Sequence, residues 1–244
     1  MIFRHKNKQV NIPNLIMNNI PITQVTTFNF LGLTIDDKLS WKEHIAKISI
    51  KISRAIGVLN KLKYQLPLNI KMTMYNSIIL PHINFGILVW GFKHPKIEKL
   101  QKKAIRCIGC SKYNAHTEPI MKELKLLRIK DILKISKLKF YYRYVNNSLP
   151  TRSLSFPFIP TSEINDYNTN HINKLFINRV NKSFAQQSLT FDIPKLINQT
   201  ESCIIEKIHT HSLQGFSRYV KNKLLSNYQH GYNIYNCYVC QNNQ

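Results

Sequence analysis

The apolar residues change their spacing once along this chain, and that change limits its possible folds more than any other feature. Up to Asp36-Asp37 the pattern runs in twos. Beyond it, Ile45, Ile48, Ile52, Ile56, Leu59 and Leu62 recur every three or four residues, the interval that places side chains on one face of an α-helix. Lys42, Lys47, Lys51, Arg54 and Lys61 fall largely off that stripe. Ser40 stands three residues before Glu43, the spacing of a capping box, so the helix is expected to begin there with the Ser40 hydroxyl on a free amide.

The segment before the switch reads as strands. Val10 and Ile12 alternate with polar neighbours. Leu15-Ile16-Met17 and Ile20-Pro21-Ile22 flank Asn18-Asn19, a pair that tolerates positive φ and predicts a hairpin turn. Phe28 to Ile35 reads as one strand, with Phe28 and Phe30 on one face and Leu31, Leu33 and Ile35 on the other. Apolar on both faces, it is expected to lie between packed layers.

The rest reads as helices. Pro67 fits the first turn of a second helix, which runs through Met72, Tyr75 and Ile79 until Pro81 breaks or kinks it. A third begins near Pro95 and runs to about Ile108; it buries Ile97, Leu100, Ala104 and Ile108 and exposes Lys96, Lys99, Lys102, Lys103 and Arg106. Thr117 suits the cap of a short helix over Glu118 to Leu124, and a longer one follows from Ile129 to about Val145. Residues 150 to 170, with Pro150, Pro157 and Pro160 among polar neighbours, read as a linker. Leu175 to Ile197 fits no single pattern, and Phe216 to Tyr228 reads as one more basic amphipathic helix. The fold class expected is mainly α, a helical bundle preceded by a small N-terminal β element. No internal repeat is visible.

Charge narrows the partners. Thirty-five Lys and Arg against 12 Asp and Glu give a formal charge of +23, a surplus that favours a polyanion because cations displace counterions from phosphates. Lysine outnumbers arginine and Asn and Ile are abundant, a bias that A/T-rich coding also produces. Hydrophobic residues at 43% are enough to build a core. Five cysteines do not make a secreted disulfide framework. Met1-Ile2-Phe3 meets Arg4, His5 and Lys6 at once, which is no signal peptide. The most apolar stretch, Ile78 to Phe92, contains Pro81, His82 and Asn84 and is too short to span a bilayer. The expected setting is intracellular, cytoplasmic or nuclear, with neither a membrane nor a small-molecule substrate as partner.

Catalytic patterns are few. Nucleotide polymerisation needs carboxylates from separate strands around two metal ions. The only adjacent pair is Asp36-Asp37; it leads straight into a helix, and no carboxylate precedes it. It reads as a strand-to-helix junction, where acidic residues suit the helix start, rather than as a metal site. Cys107-x-x-Cys110 and Cys237-x-x-Cys240 share the spacing of zinc ligands, with His209-x-His211 between them. The first pair straddles the end of a basic helix, and too much chain separates the two, so structural thiols are the reading kept. No glycine-rich phosphate loop or nucleophile elbow occurs. His44 and His82 read as polar fillers. Tyr141, Tyr142 and Tyr144 suit core packing better than base stacking.

One passage is distinctive. Phe30-Leu31-Gly32-Leu33-Thr34-Ile35-Asp36, then Leu39-Ser40-Trp41 and His44-Ile45, resembles the FLG-x-x-ID-x-x-L-x-W-x-x-HI passage of non-LTR retrotransposon reverse transcriptases, the jockey-like group in particular. The likeness continues in order through Ile52-Ser53-Arg54, Gly57 and Leu59, then Tyr75-Asn76-Ser77, Leu80-Pro81 and Val89-Trp90-Gly91. Leu100-Gln101-Lys102-Lys103-Ala104-Ile105-Arg106 is similar to an LQ-K/R-R/K-A-I-R helix, and Phe216, Lys221, Leu224-Leu225 and Tyr228 resemble the closing helix. Residues 175 to 200 depart from the pattern, since the Trp-Asn-x-Leu-Pro motif frequent there is absent.

The resemblance implies the end of a palm and a thumb: a palm remnant over 1–37, a thumb-like helical domain over 38–149, a linker over 150–170 and a helical extension over 171–244. It aligns Met1-Ile2-Phe3 with the last palm strand, downstream of the catalytic box, so no catalytic residue carries over and no cofactor is implied here; Mg²⁺ belongs to the intact polymerase. Leu31, Gly32, Asp36, Trp41 and His44 are then structural motif residues. The implied partner is RNA or an RNA–DNA duplex, besides the missing palm and fingers. The basic residues expected on phosphates are Lys47, Lys51 and Arg54 on the first helix and Lys99, Lys102, Lys103 and Arg106 on the third. Two other readings stay open: an active reverse transcriptase given incompletely, or an unrelated basic helical nucleic-acid-binding or interaction domain.

Overall fold

The computed structural model describes residues 1–3, 15–92, 95–149, 158–164, 174–181 and 185–228. Val10 and Ile12, Pro150 and Pro157, and Cys237 and Cys240 lie outside them. The chain forms two compact units, Met1–Gly86 with Lys93–Cys110, and Ile87–Phe92 with Ser111–Gln244. These divisions do not coincide with the segments expected at 37 and 149.

The first unit opens with two antiparallel hairpins. Strands β1 (Ile16–Met17) and β2 (Ile20–Pro21) turn through Asn18 and Asn19, at φ 49° and 60°. The second corrects the single-strand reading of Phe28 to Ile35. Strand β3 (Thr27–Phe30) stops at Leu31, and β4 (Leu33–Asp36) returns against it, Phe30 opposite Leu33 and Phe28 opposite Ile35. Leu31 and Gly32 form the two-residue turn at φ 47° and 83°, both positive as a hairpin of this twist requires. The expected sandwich is corrected too: Phe28 and Phe30 are 53% and 55% exposed, while Thr34 and Asp36, on the opposite face, are buried.

Helix α1 (Lys42–Leu62) follows and buries Ile45, Ile48, Ile52, Ile56 and Leu59 as the periodicity requires. It packs on β4 and on α5 (Pro95–Ile108). Ser40 does not cap it. The residue before the helix is Trp41, in the left-handed region at φ 60°, with no side-chain cap. Helix α2 (Leu68–Met74) runs into a π turn at Tyr75–Ile79 and then α3 (Leu80–Asn84). Pro81 therefore does not end the helix. A wider turn just before it relieves the clash between the proline ring and the preceding carbonyls. In α5, Gln101 joins Ile97, Ala104 and Ile108 in the core, whereas Leu100 is only half-buried. The Gln101 amide donates to the Tyr75 hydroxyl at 2.9 Å, and burial pushes that phenol up to about 12 although this hydrogen bond works the other way.

The second unit holds α4 (Ile87–Trp90), α6 (Thr117–Glu123), α7 (Ile129–Val145), α8 (Leu189–Asn198), α9 (Ser202–Thr210) and α10 (Leu213–Ser226). Thr117 is the first helical residue of α6 and supplies no cap, unlike its expected role. Ile135, Leu138, Ile193, Ile197, Ile204, Ile208, Phe216 and Val220 form one core. The tyrosines of α7 line it as expected: Tyr142 stacks on Phe216 with centroids 5.3 Å apart, and Tyr141 and Tyr144 meet Phe158 edge-on at 5.8 and 4.8 Å. That contact corrects the linker reading for residues 158–164, because Phe158 is a core residue. Its neighbours pair with 174–176: Thr161 N–H donates to the Lys174 carbonyl at 2.8 Å, and Phe176 N–H to Ile159 at 2.9 Å. On the other side of Leu175, the Asn198 side chain accepts from its amide at 2.9 Å and donates to its carbonyl at 2.8 Å.

Among the described residues no helix is long and apolar enough to cross a membrane.

Candidate nucleic-acid interface

The turn from hairpin to helix gives several residues of the FLG-to-HI passage a physical task. Gly32 supplies a φ that side chains resist, and a Cβ there would come within 3.3 Å of the Phe85 ring. Leu31, beside it, is 79% exposed. The Asp36 carboxylate accepts from the backbone amides of Ser40 and Trp41, both at 2.9 Å and on separate oxygens. Burial alone would push this carboxyl up, yet the Ser40 and Trp41 hydrogen bonds outweigh it and hold it below the usual range. The side chain that organises the entrance to α1 is thus Asp36, five residues upstream of Trp41. His44, buried in the first turn of α1, lies with Nδ1 3.4 Å from the Thr34 amide and meets Trp41 edge-on at 6.5 Å.

The basic residues fall in two rows of the same unit. Lys47, Lys51 and Arg54 are exposed on α1 at intervals of four and three, which share a helix face. Lys47 leans back on the hairpin, its ammonium 3.1 Å from Thr34 Oγ1 and 3.3 Å from Asn29 Oδ1. Lys51 faces His82 on α3, where burial first and the Lys51 charge second push the imidazole down. On α5, Lys99 and Lys103 are exposed, Arg106 is half-buried, and Lys102 reaches back to Glu98 at 3.0 Å. That i, i+4 pair is exposed and weak, so a phosphate can compete for Lys102. An arrangement like this can neutralise a polyphosphate backbone through point charges; nothing in it selects a base edge.

Among the described residues no three His, Cys, Asp or Glu side chains gather as a metal site requires. Asp36 is engaged by backbone amides. Cys107 and Cys110 lie at the end of α5: Cys107 is buried and its thiol pushed up by that burial, against the pull of Lys63 and Lys103.

Two polar clusters escape the sequence reading. Arg128 bonds Glu118 at 2.7 Å and Asp131 at 2.9 Å, while the Tyr228 hydroxyl donates to Asp131 at 2.5 Å and accepts from the Arg128 amide at 2.8 Å. Lys71 is 5% exposed, its ammonium 3.0 Å from the Lys63 carbonyl and 3.1 Å from Cys110 Sγ. Both join residues distant in sequence, and no local pattern announces them.

Comparison with known proteins places the chain beside polymerases of mobile elements. It is 27% identical over 144 residues to the RNA-directed DNA polymerase from mobile element jockey of Drosophila melanogaster, covering 56% of this chain and 16% of that protein. It is 25% identical over 162 residues to the probable RNA-directed DNA polymerase from transposon X-element of the same organism, covering 59% and 18%. The jockey polymerase of Drosophila funebris is 26% identical over 149 residues, or 57% and 16%. The matched part thus spans under a fifth of these relatives. No protein-family model and no solved structure matches the chain.

Proposed function

We propose that this chain is the template–primer-gripping part of a mobile-element reverse transcriptase, a palm remnant over 1–37 followed by thumb-like helices over 38–149, a connecting segment over 150–170 that docks on the helices through Phe158, and a helical extension over 171–244. It holds the backbone of an RNA–DNA duplex and does not itself join nucleotides. The observation that carries the reading is relatedness to RNA-directed DNA polymerases in a chain whose cations stand in rows on two helices of one unit. Lys47, Lys51, Arg54, Lys99, Lys102, Lys103 and Arg106 are the phosphate contacts, reading shape and charge rather than sequence. Asp36 ties a loop, and among the described residues no cluster of carboxylates could hold the two metal ions that polymerisation needs.

The hairpin supports a second part of the proposal. Its polar face packs inward on α1 while Phe28 and Phe30 face outward. A β layer with its apolar side uncovered suits burial against the rest of a polymerase palm.

The test is binding of the purified chain to an RNA–DNA hybrid across a salt series. Affinity should fall steeply with salt, and replacing Lys102, Lys103 and Arg106 by Gln together should flatten the log–log slope by about one unit per neutralised cation. A parent slope near zero rules the grip out and favours an unrelated interaction domain. Primer extension with Mg²⁺ or Mn²⁺ should give no product above background, and synthesis would restore the reading of an active polymerase.

A further inference from the structure

Lys71 is a lysine in an unusual place. Ammonium groups almost never lie fully buried unless paired with an acid, yet this one sits against a carbonyl and a thiol. Its ammonium touches the Lys63 carbonyl at 3.0 Å and Cys110 Sγ at 3.1 Å, and the same sulfur lies 3.2 Å from that carbonyl. Cys110 is held in place by its backbone, just past the end of α5 at φ 49°. It is also partly exposed, whereas Lys71 is covered. A small oxidant can therefore reach the sulfur from outside while the amine waits behind it.

We propose that Lys71 and Cys110 form an oxidative modification site, in which a peroxide converts the contact into a covalent sulfur–nitrogen bond. In the first step the Cys110 sulfur attacks one peroxide oxygen. The O–O bond breaks, the thiol proton leaves with the departing oxygen as water, and Cys110 becomes a sulfenic acid. In the second, Lys71, having lost its ammonium proton to solvent, donates its lone pair to that sulfur. The S–O bond breaks, and the hydroxide leaves as water with one amine proton. Sulfur is oxidised by two electrons, the peroxide is reduced, and the net change is the loss of two hydrogen atoms from the protein.

The rival for the sulfenic acid is Cys107, one turn back. It is buried, its Sγ rests 3.7 Å from Asn60 Oδ1, and burial keeps it in the thiol form, which is the poor nucleophile. The amine is already in contact and wins. The bridge fastens the middle of α2 to the residue just past the end of α5 and is undone by a thiol reductant.

Tryptic mapping of the full chain after mild peroxide distinguishes the outcomes, because cleavage isolates Cys107 and Cys110 together on residues 107–112. The expected product joins 107–112 to 64–93, uncut at Lys71, lighter than the two peptides with their uncut bond by two hydrogens and released by dithiothreitol. Cys107→Ser should leave it unchanged, and Lys71→Met should abolish it and leave Cys110 trapped by dimedone. An unlinked 107–112 peptide lighter by two hydrogens, meaning a Cys107–Cys110 disulfide, overturns the proposal. So does dimedone capture of Cys110 in the parent with Lys71 cleaved normally. This site stands independently of nucleic-acid binding.

Discussion

Replacing Asp36 by Asn isolates what the carboxylate does at the hairpin-to-helix turn. The two amides it accepts reach different oxygens, each at 2.9 Å. An Asn side chain offers one oxygen; its amino group then faces the second N–H, donor against donor. One hydrogen bond survives without its charge, and the other disappears with its donor left unsatisfied. Hydrogen bonds to charged groups contribute about 1.5–3 kcal/mol each, so the variant should lose about 2–3 kcal/mol of stability near pH 7. The acid dependence follows from the lowered carboxyl. Its contribution is complete above the ordinary value of 3.8 and disappears as pH falls through the lower folded value. The stability gap between parent and variant should therefore close under acid. Urea unfolding by circular dichroism, with hydrogen exchange read on the peptide carrying Ser40 and Trp41, measures both effects. A loss under about 0.5 kcal/mol at pH 7, or a gap that widens as pH drops, refutes the role given to Asp36.

Other perturbations probe other parts. Gly32→Ala places a Cβ 3.3 Å from the Phe85 ring at φ 83° and should cost about 1–3 kcal/mol in thermal unfolding; a neutral result would mean the turn relaxes. Tyr228→Phe leaves the Arg128 amide without its acceptor and removes one of the two donors to Asp131, Arg128 Nε remaining, an expected loss of about 2 kcal/mol by denaturant titration. Lys137 pairs with Asp192 within the second unit, both largely covered. Lys137→Met alone should destabilise by about 3 kcal/mol, and adding Asp192→Leu should recover most of it, because the penalty is an uncompensated charge; additive losses would contradict that.

Much of the helical architecture is legible because it is written in local periodicity. The isoleucines of α1, the ends of α5 at Pro95 and Ile108, and α7 from Ile129 to Val145 each follow from spacing alone. What spacing misreads depends on backbone conformation or distant partners. Leu31 keeps an apolar alternation running through a turn, and only Gly32 hints that the chain reverses there. Ser40 has the spacing of a cap, but a left-handed Trp41 stands between it and the helix, and Asp36 ties down the amides of Ser40 and Trp41 instead. Phe158 sits among prolines and polar residues and still finds Tyr141 and Tyr144 in space. The candidate interface divides the same way: its lysine rows on α1 and α5 are a sequence pattern, while Lys71 beside Cys110 and Tyr228 beside Asp131 exist only after folding.

The short pairing at Leu175 has a consequence for how the chain behaves in company. Flanking residues bond to the 159–161 segment on one flank, and on the other the Asn198 amide takes both backbone groups of Leu175. A side chain occupies the seat of a third strand. No backbone at Leu175 is left to recruit a neighbour, so the ladder cannot template edge-to-edge growth at that point. Changing Asn198 to Asp would remove the donating half of the clamp and reopen that seam.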